Sequence, residues 1–147
     1  MKMTMTKLAT VICSLFFLGA AWSQDLSVAP SEWQELTSVD GITFYGRTEQ
    51  CDFPGDELAS SFALVRIVNN TSEEKVVNYH LALQYQEGCS GCAQTTEFDT
   101  AITVPANTTV EGACGNTTRE LSRIIYNPNL DGGWHYESMQ IVNPVIR

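Results

Sequence analysis

The stretch VVNYHLALQYQ, residues 76–86, alternates between two kinds of side chain. Its odd positions are apolar or aromatic: Val77, Tyr79, Leu81, Leu83 and Tyr85. Most of its even positions are polar: Asn78, His80, Gln84 and Gln86. A period of two residues is typical of a strand with one buried face and one wet face. The pattern therefore predicts a half-buried β-strand with His80 on its solvated face.

Strand patterns continue on both sides of this stretch, separated by turn residues such as Asp40-Gly41 and Pro105-Ala106-Asn107. They cover residues 42–47, 61–68, 95–104, 108–112, 119–126 and 136–145. Residues 32–36 add either a strand that pairs back across Asp40-Gly41 or a short helix, and residues 119–126 would also tolerate a helical turn. Seven to eight short strands with turns every 8–12 residues or so predict an all-β fold. We expect a single antiparallel β-sandwich of immunoglobulin-like type.

Length, composition and charge exclude several classes of protein. The chain has 147 residues, with 8 Lys and Arg against 17 Asp and Glu, and a formal net charge of −9. This length fits one domain of about 100–200 residues. With 44% hydrophobic and 10% aromatic residues the chain can build a core, which argues against disorder. The acidic balance argues against nucleic acid or anionic membrane as a partner, because both bind clustered Lys and Arg.

The first 23 residues have the parts of a secretory signal peptide. Lys2 and Lys7 precede an apolar run over residues 8–22, and Ala21 and Ser23 supply small residues before a cut at Gln24. The run is shorter than the ~20 residues that a spanning helix needs, although an uncleaved anchor is the alternative. We therefore expect a signal peptide at 1–23, a β-sandwich domain at 24–147, and no membrane insertion after cleavage.

Cleavage defines the mature protein and its compartment. Lys2 and Lys7 leave with the signal, so six bases remain against 17 acids and the net charge becomes −11. Cys13 leaves as well, and four cysteines remain: Cys51, Cys89, Cys92 and Cys114. The expected location is secreted, periplasmic or at the cell surface, where disulfides form.

If each strand reverses the one before it, the loops that carry the four cysteines emerge at the same end of the sandwich. Two disulfides are the expected outcome, and Cys51–Cys114 with Cys89–Cys92 is the preferred of three connectivities. Joining Cys51 to Cys114 closes a long loop, which the chain-entropy model values at about 4–5 kcal/mol. The alternative is a Cu or Zn protein that binds metal through all four thiolates, although a second Cys-x-x-Cys half-site is missing. A redox-active Cys89-x-x-Cys92 pair is a third option, without the helix N-terminus that activates such pairs.

Three sequence motifs resemble a group of small exported immunoglobulin-like β-sandwich proteins of Bacteroidetes. They are Gly41-Ile42-x-Phe44-Tyr45, the 77–85 strand running into Cys89-x-x-Cys92, and Val110-Glu111-Gly112-x-Cys114 followed by Arg119-x-Leu121. The resemblance covers most of residues 33–126. It implies the fold and the compartment, and it carries no activity and no functional residue to this chain.

Residues for ligand binding are expected at the end of the sandwich opposite the cysteines. There the 69–74 loop, the 105–107 turn and the 127–135 loop are predicted to meet, and loops at the end of a sandwich often carry recognition. Trp134 and Tyr136 suit stacking on a sugar or anchoring a partner protein, with Asp131 and His135 as polar contacts. The alternative is that Trp134 folds back and caps the core.

Local catalytic motifs are absent from the sequence, and a hydrolytic enzyme whose serine, histidine and carboxylate are brought together only by the fold is the third alternative. No Gly-x-Ser-x-Gly elbow frames a serine, no glycine-rich phosphate loop occurs, and the two histidines, His80 and His135, are predicted to lie far apart. The sequence therefore predicts a secreted, non-catalytic binding or structural module without a cofactor, whose partner is a protein or a glycan.

Overall fold

A computed structural model describes residues 31–55, 59–93, 99–114, 120–126 and 134–147 of the chain. All helical or extended secondary structure in these ranges is β-strand, which confirms the all-β prediction. The nine strands of this part are β1 (Gln34–Val39), β2 (Ile42–Cys51), β3 (Ser60–Asn69), β4 (Lys75–Tyr85), β5 (Gly88–Ser90), β6 (Asp99–Val104), β7 (Thr109–Glu111), β8 (Ser122–Tyr126) and β9 (Tyr136–Ile146). The predicted count of seven to eight is too low, because β5 lies where the sequence indicates only a loop. No helix in the described ranges is long and apolar enough to cross a membrane.

A tight hairpin joins β1 to β2 and settles the first open alternative. Asp40 and Gly41 both have positive φ angles, 49° and 77°, and Val39 pairs with Ile42 on either side of them. Two-residue hairpin turns favour residues that adopt positive φ, because the backbone twist of such a turn matches the twist of the two strands. The strand alternative near residues 32–36 is therefore confirmed, and the helix alternative is wrong.

The larger sheet has β3 as its most extensively paired strand. Its order is β1–β2–β3, and both β7 and β8 pair with the far edge of β3. β8 covers the first half of that edge and β7 the second half. Both are antiparallel to β3, so they run in the same direction and together form one edge strand with an interruption.

The interruption of this edge strand begins and ends opposite one residue of β3, Val65. The amide of Gly112 donates to the carbonyl of Val65, and the amide of Val65 donates to the carbonyl of Leu121, each at 2.9 Å. The chain thus leaves β3 after Gly112 and returns to it at Leu121. A Cβ on Gly112 would overlap the carbonyl oxygen of Leu121, so only glycine allows the two segments to approach this closely.

The smaller sheet is built around β4 and has a similar interruption. β9 pairs with β4 from Val77 to Tyr85 and so occupies one edge. β6 pairs with the first half of β4 and β5 with its last three residues, which places both on the other edge. All of these pairs are antiparallel, as predicted.

One apolar core lies between the two sheets in a sandwich-like arrangement. The odd positions of β4 that the sequence assigns to a buried face are all buried. Tyr79 of β4 packs edge-on against Phe44 of β2, with ring centroids 5.5 Å apart, and its hydroxyl donates to the carbonyl of Glu120. Burial raises the pKa of Tyr79 to about 12. Tyr79 thus connects both sheets to the segment that follows Gly112.

The 69–74 loop and the 105–107 turn meet, as expected, around the side chain of Asn69. This residue is 1% exposed. Its amide nitrogen lies within hydrogen-bond distance of the carbonyls of Glu73, Val104 and Pro105, and its carbonyl oxygen accepts from the amide and hydroxyl of Thr71. Asn69 is therefore a structural crosslink at this end, which we name the Asn69 end; the opposite end, where β2 finishes, is the Cys51 end.

The crosslink predicts a specific loss of stability. We expect Asn69→Ala to lower the free energy of unfolding by about 2–3 kcal/mol, because it leaves buried carbonyls without a donor. Asn70→Ala is the control, since the side chain of the exposed Asn70 donates one 3.3 Å bond to Thr43, and it should cost less than about 1 kcal/mol. Urea unfolding of both variants measures the difference; equal losses would contradict the crosslink.

The close approach at Gly112 gives a second prediction. Gly112→Ala should lower the free energy of unfolding by about 1–3 kcal/mol, because the added methyl forces the backbone at Leu121 away from Val65. The matched variant is Thr109→Ala on the exposed face of β7, which should cost under about 1 kcal/mol. The midpoint of urea unfolding is the measurement, and a neutral Gly112→Ala would mean that the two segments are not held at Val65.

Candidate functional site

The direction of β8 decides where the last loop lies. Because β8 continues the direction of β7, Tyr126 pairs with Ser61 at the Cys51 end of the sheet. Tyr136, the first residue of β9, pairs with Tyr85, the last residue of β4. The prediction that Trp134, His135 and Tyr136 lie opposite the cysteines is therefore wrong. Strict alternation of strand directions fails at the interruption between β7 and β8.

Three aromatic rings form a cluster at the Cys51 end. Tyr85 lies in the middle, with the ring of Trp134 at 5.3 Å and that of Tyr136 at 6.1 Å between centroids, both edge-on. Burial raises the pKa of Tyr136 to about 12, with a smaller contribution from Tyr85. Trp134 nevertheless remains 53% exposed. Its ring is held by Tyr85 on one side and open to solvent, rather than folded over the core.

His135 is clamped to the turn between β4 and β5. Its amide donates to Glu87 at 2.8 Å, and its ring Nδ1 lies 2.5 Å from the other carboxylate oxygen of Glu87. The amide of Gln86 donates back to the carbonyl of His135 at 2.9 Å. The imidazole contact, followed by the backbone amide, holds the pKa of Glu87 below its usual value. These bonds fix the backbone beside Trp134.

A cleft opens next to the aromatic cluster, between the β1–β2 edge and β9. Its volume is about 430 Å³, and Tyr136 lies on its wall. Leu36 and Met139 approach Gly46 there so closely that a Cβ at residue 46 would lie 2.5 Å from the Met139 sulfur. Six polar residues complete the wall, Ser31, Gln34, Arg47, Thr48, Glu137 and Ser138, although apolar atoms make up more of the exposed lining than polar atoms do.

Cys51, Cys89, Cys92 and Cys114 form two disulfides with the predicted connectivity. Cys51 bonds to Cys114 across a separation of 63 residues, and Cys89 bonds to Cys92. Such bonds are typical of an oxidising, non-cytoplasmic compartment. Within the described ranges, which include these four of the five cysteines, no group of three or more Cys, His, Asp or Glu is arranged to hold a metal. The alternative of a four-cysteine metal site therefore has no support in this arrangement.

His80 is not on a solvated face, contrary to the sequence prediction. It is 5% exposed, and its Nδ1 lies 3.2 Å from the carboxylate of Asp99 on the neighbouring strand β6. Gly91 packs over the outer face of β4 at His80 and Ala82 and contributes to this cover. Periodicity within β4 contains no information about this cover, because it comes from the next segment of the chain.

Of the four predicted ligand-binding residues, the structure brings Trp134, His135 and Tyr136 together, and Asp131 lies outside the described residues. Tyr85 and Glu87 are part of the same site and were not predicted to contribute to it. Glu87 contacts His135 across 48 residues of sequence, so no local signal indicates the pairing. Comparisons with protein-family models, with characterised proteins and with solved structures gave no match to this chain.

The contact between His135 and Glu87 predicts a change in titration. His135→Ala should raise the pKa of Glu87 towards the ordinary value of 4.5, because the imidazole contact is its largest lowering influence. At a pH above the ordinary pKa of 4.5 the contact stabilises the folded protein. This stabilisation is lost as the pH falls through the lowered pKa of Glu87. Carboxyl ¹³C NMR titration measures the shift.

Glu73 is the internal control for this titration, since its pKa is lowered by Lys75 instead. We expect the Glu73 curve to be the same in both proteins. A Glu87 curve that does not move in His135→Ala would show that the imidazole does not hold this carboxylate in solution.

Proposed function

We propose that the protein is an exported, non-catalytic binding module that recognises a neutral glycan at the Cys51 end. The observation that carries the proposal is Trp134, which is 53% exposed while Tyr85 holds its ring in place. A large aromatic side chain exposed to this extent and fixed by its neighbours offers a rigid stacking surface, with little conformational entropy to lose on binding.

The surroundings of Trp134 favour a sugar over a flat protein partner. His135 and Glu87 next to it supply hydrogen-bonding groups already held in one geometry. The cleft that begins at Tyr136, with its volume of about 430 Å³, lies within the range of roughly 300–1,000 Å³ that is usual for small-molecule sites. The polar side chains on its wall suit the hydroxyl groups of one or two sugar rings, and the apolar atoms between them suit the faces of those rings.

The negative net charge of the chain restricts the kinds of glycan that we expect it to bind. The full chain has a formal net charge of −9, and loss of the proposed signal at 1–23 makes it −11. Within the cleft Arg47 is already paired with Glu49 at 2.5 Å, and its guanidinium also lies over the ring of Trp33. Polyanionic glycans would meet net repulsion, so neutral oligosaccharides are the proposed ligands.

The proposal includes the finer fold assignment and the export. Two antiparallel sheets on one core are consistent with an immunoglobulin-like sandwich. The two disulfides are consistent with passage through an oxidising compartment after cleavage before Gln24. In this proposal the module binds its ligand without converting it.

The test uses the mature chain, residues 24–147, labelled with ¹⁵N and titrated with cello-, xylo-, chito- and laminari-hexaose, and with heparin as a polyanion. Its two tryptophans, Trp33 and Trp134, give two indole N–H signals. We expect at least one neutral hexaose to shift the Trp134 signal, heparin to leave it unchanged, and the sugar to be recovered intact. Trp134→Ala should weaken binding by about tenfold or more.

Trp33 is the matched control, since the guanidinium groups of Arg47 and Arg66 lie 4.7 and 4.2 Å from its ring centroid and cover it. Trp33→Phe should therefore retain the affinity. A panel in which no neutral hexaose moves the Trp134 signal, or a Trp134→Ala variant that binds as tightly as the parent, would contradict the glycan proposal; hydrolysis of the sugar would contradict its non-catalytic part.

A further inference from the structure

We infer that the Cys89–Cys92 disulfide is a thiol–disulfide exchange site that a dithiol opens in the folded protein, and that its oxidation state controls the burial of His80. The inference concerns the outer face of the smaller sheet and does not depend on the glycan proposal. Four observations carry it: the exposure of both sulfur-bearing residues, the short loop between them, the position of Gly91, and the contrast with Cys51–Cys114.

The turn closed by the disulfide lies directly over the buried histidine. Gly91 has a φ of 82°, and a Cβ built on it would lie 2.8 Å from the carbonyl oxygen of Leu81 and 3.3 Å from Nε2 of His80. Backbone this close to a strand needs glycine, both for its φ and for the missing side chain. Gly91, the second of the two residues between the cysteines, thus lies between this side of His80 and solvent.

The disulfide holds Gly91 in place and contributes little to the stability of the fold. Cys89 and Cys92 are three residues apart, so the bond constrains only a very short loop of the unfolded chain. Three residue pairs between β5 and the end of β4 anchor the turn on its N-terminal side independently of the bond. Reduction therefore frees Gly91 while the sheets and their core remain paired.

The Cys51–Cys114 disulfide differs in burial and should resist reduction by the same dithiol. Cys51 is 1% exposed although its partner Cys114 is exposed, whereas Cys89 and Cys92 are both exposed. A thiolate released at Cys51 would be cut off from water, which disfavours the charge. A thiolate released at Cys89 or Cys92 is solvated, and access is one of the factors that set the rate of exchange.

The reaction is a two-electron exchange with a dithiol. One thiolate of the dithiol attacks a sulfur of the Cys89–Cys92 bond; that bond breaks, a mixed disulfide forms, and the other cysteine leaves as a thiolate that takes up a proton. The second thiol of the reagent then attacks the mixed disulfide and releases the remaining cysteine. The protein gains two electrons and two protons, and the dithiol becomes a disulfide.

The first measurement is the order in which the two bonds are reduced. The native mature protein is incubated with increasing dithiothreitol, alkylated with iodoacetamide and mapped by peptide mass spectrometry. We expect label on Cys89 and Cys92 at rates on the order of tenfold or more above those for Cys51 and Cys114. The near-UV circular dichroism of the core should persist, and oxidised dithiothreitol should restore the bond after the reductant is removed.

The second measurement follows His80, and the chain supplies its own reference. The only histidines are His80, which is buried, and His135, whose side chain is 46% exposed. Exchange of the imidazole C2 hydrogen with deuterium, read by mass spectrometry, reports solvent access at each. Reduction should accelerate exchange at His80 about fivefold or more and change it less than about twofold at His135.

Two double variants separate the contributions. Cys89→Ser with Cys92→Ser should fold, retain the Cys51–Cys114 bond, and show fast His80 exchange that dithiothreitol no longer changes. Cys51→Ser with Cys114→Ser should keep slow His80 exchange until dithiothreitol is added, if it folds; if it does not, the first variant decides. Simultaneous reduction of both disulfides with loss of the core signal, or selective reduction that leaves His80 exchange slow, would overturn the inference.

Discussion

The two hydrogen bonds at Val65 are the constraint on which the arrangement of this protein depends. One residue of β3 bonds to Gly112 before the chain leaves the sheet and to Leu121 after it returns. β7 and β8 therefore run in the same direction along one edge, where a simple meander would reverse. The hydroxyl of Tyr79, which donates to Glu120, ties the returning segment to the opposite sheet. A glycine at residue 112 is what makes this approach sterically possible.

The position of the candidate site follows from the shared direction of β7 and β8. Since β8 ends at the Cys51 end, the loop after Tyr126 starts there, and β9 begins beside the end of β4. Trp134 and Tyr136 then meet Tyr85, and His135 meets Glu87. Residues that lie about 48 positions apart thus form one surface, which combines an exposed ring with fixed polar groups. At the other end the amide nitrogen and the carbonyl oxygen of the Asn69 side chain join two turns, so this residue has a structural role there.

Both sheets have an edge strand that is divided into two pieces, with a cysteine in the segment between the pieces. In the larger sheet Cys114 lies between β7 and β8 and bonds to the buried Cys51. In the smaller sheet Cys92 lies between β5 and β6 and bonds to its near neighbour Cys89. The first bond joins distant parts of the chain and the second only shapes a turn over His80. Equal chemistry at the two positions therefore leads to different physical roles, set by sequence separation and by burial.

The sequence by itself determined the fold class and most of the strands, because both depend on local information, and it favoured the observed pairing of the cysteines over two other connectivities. A period of two marks Val77 to Tyr85 as a strand whatever surrounds it, and Asp40-Gly41 favours a hairpin through its own backbone angles. Tertiary structure alone decided the direction of β8, the burial of His80 under Gly91 and the contact of His135 with Glu87. These depend on which strand a segment pairs with and what then covers its outer face, and both are set by hydrogen bonds between residues far apart in the chain. Local periodicity cannot encode such bonds, since the same alternation fits a strand running in either direction.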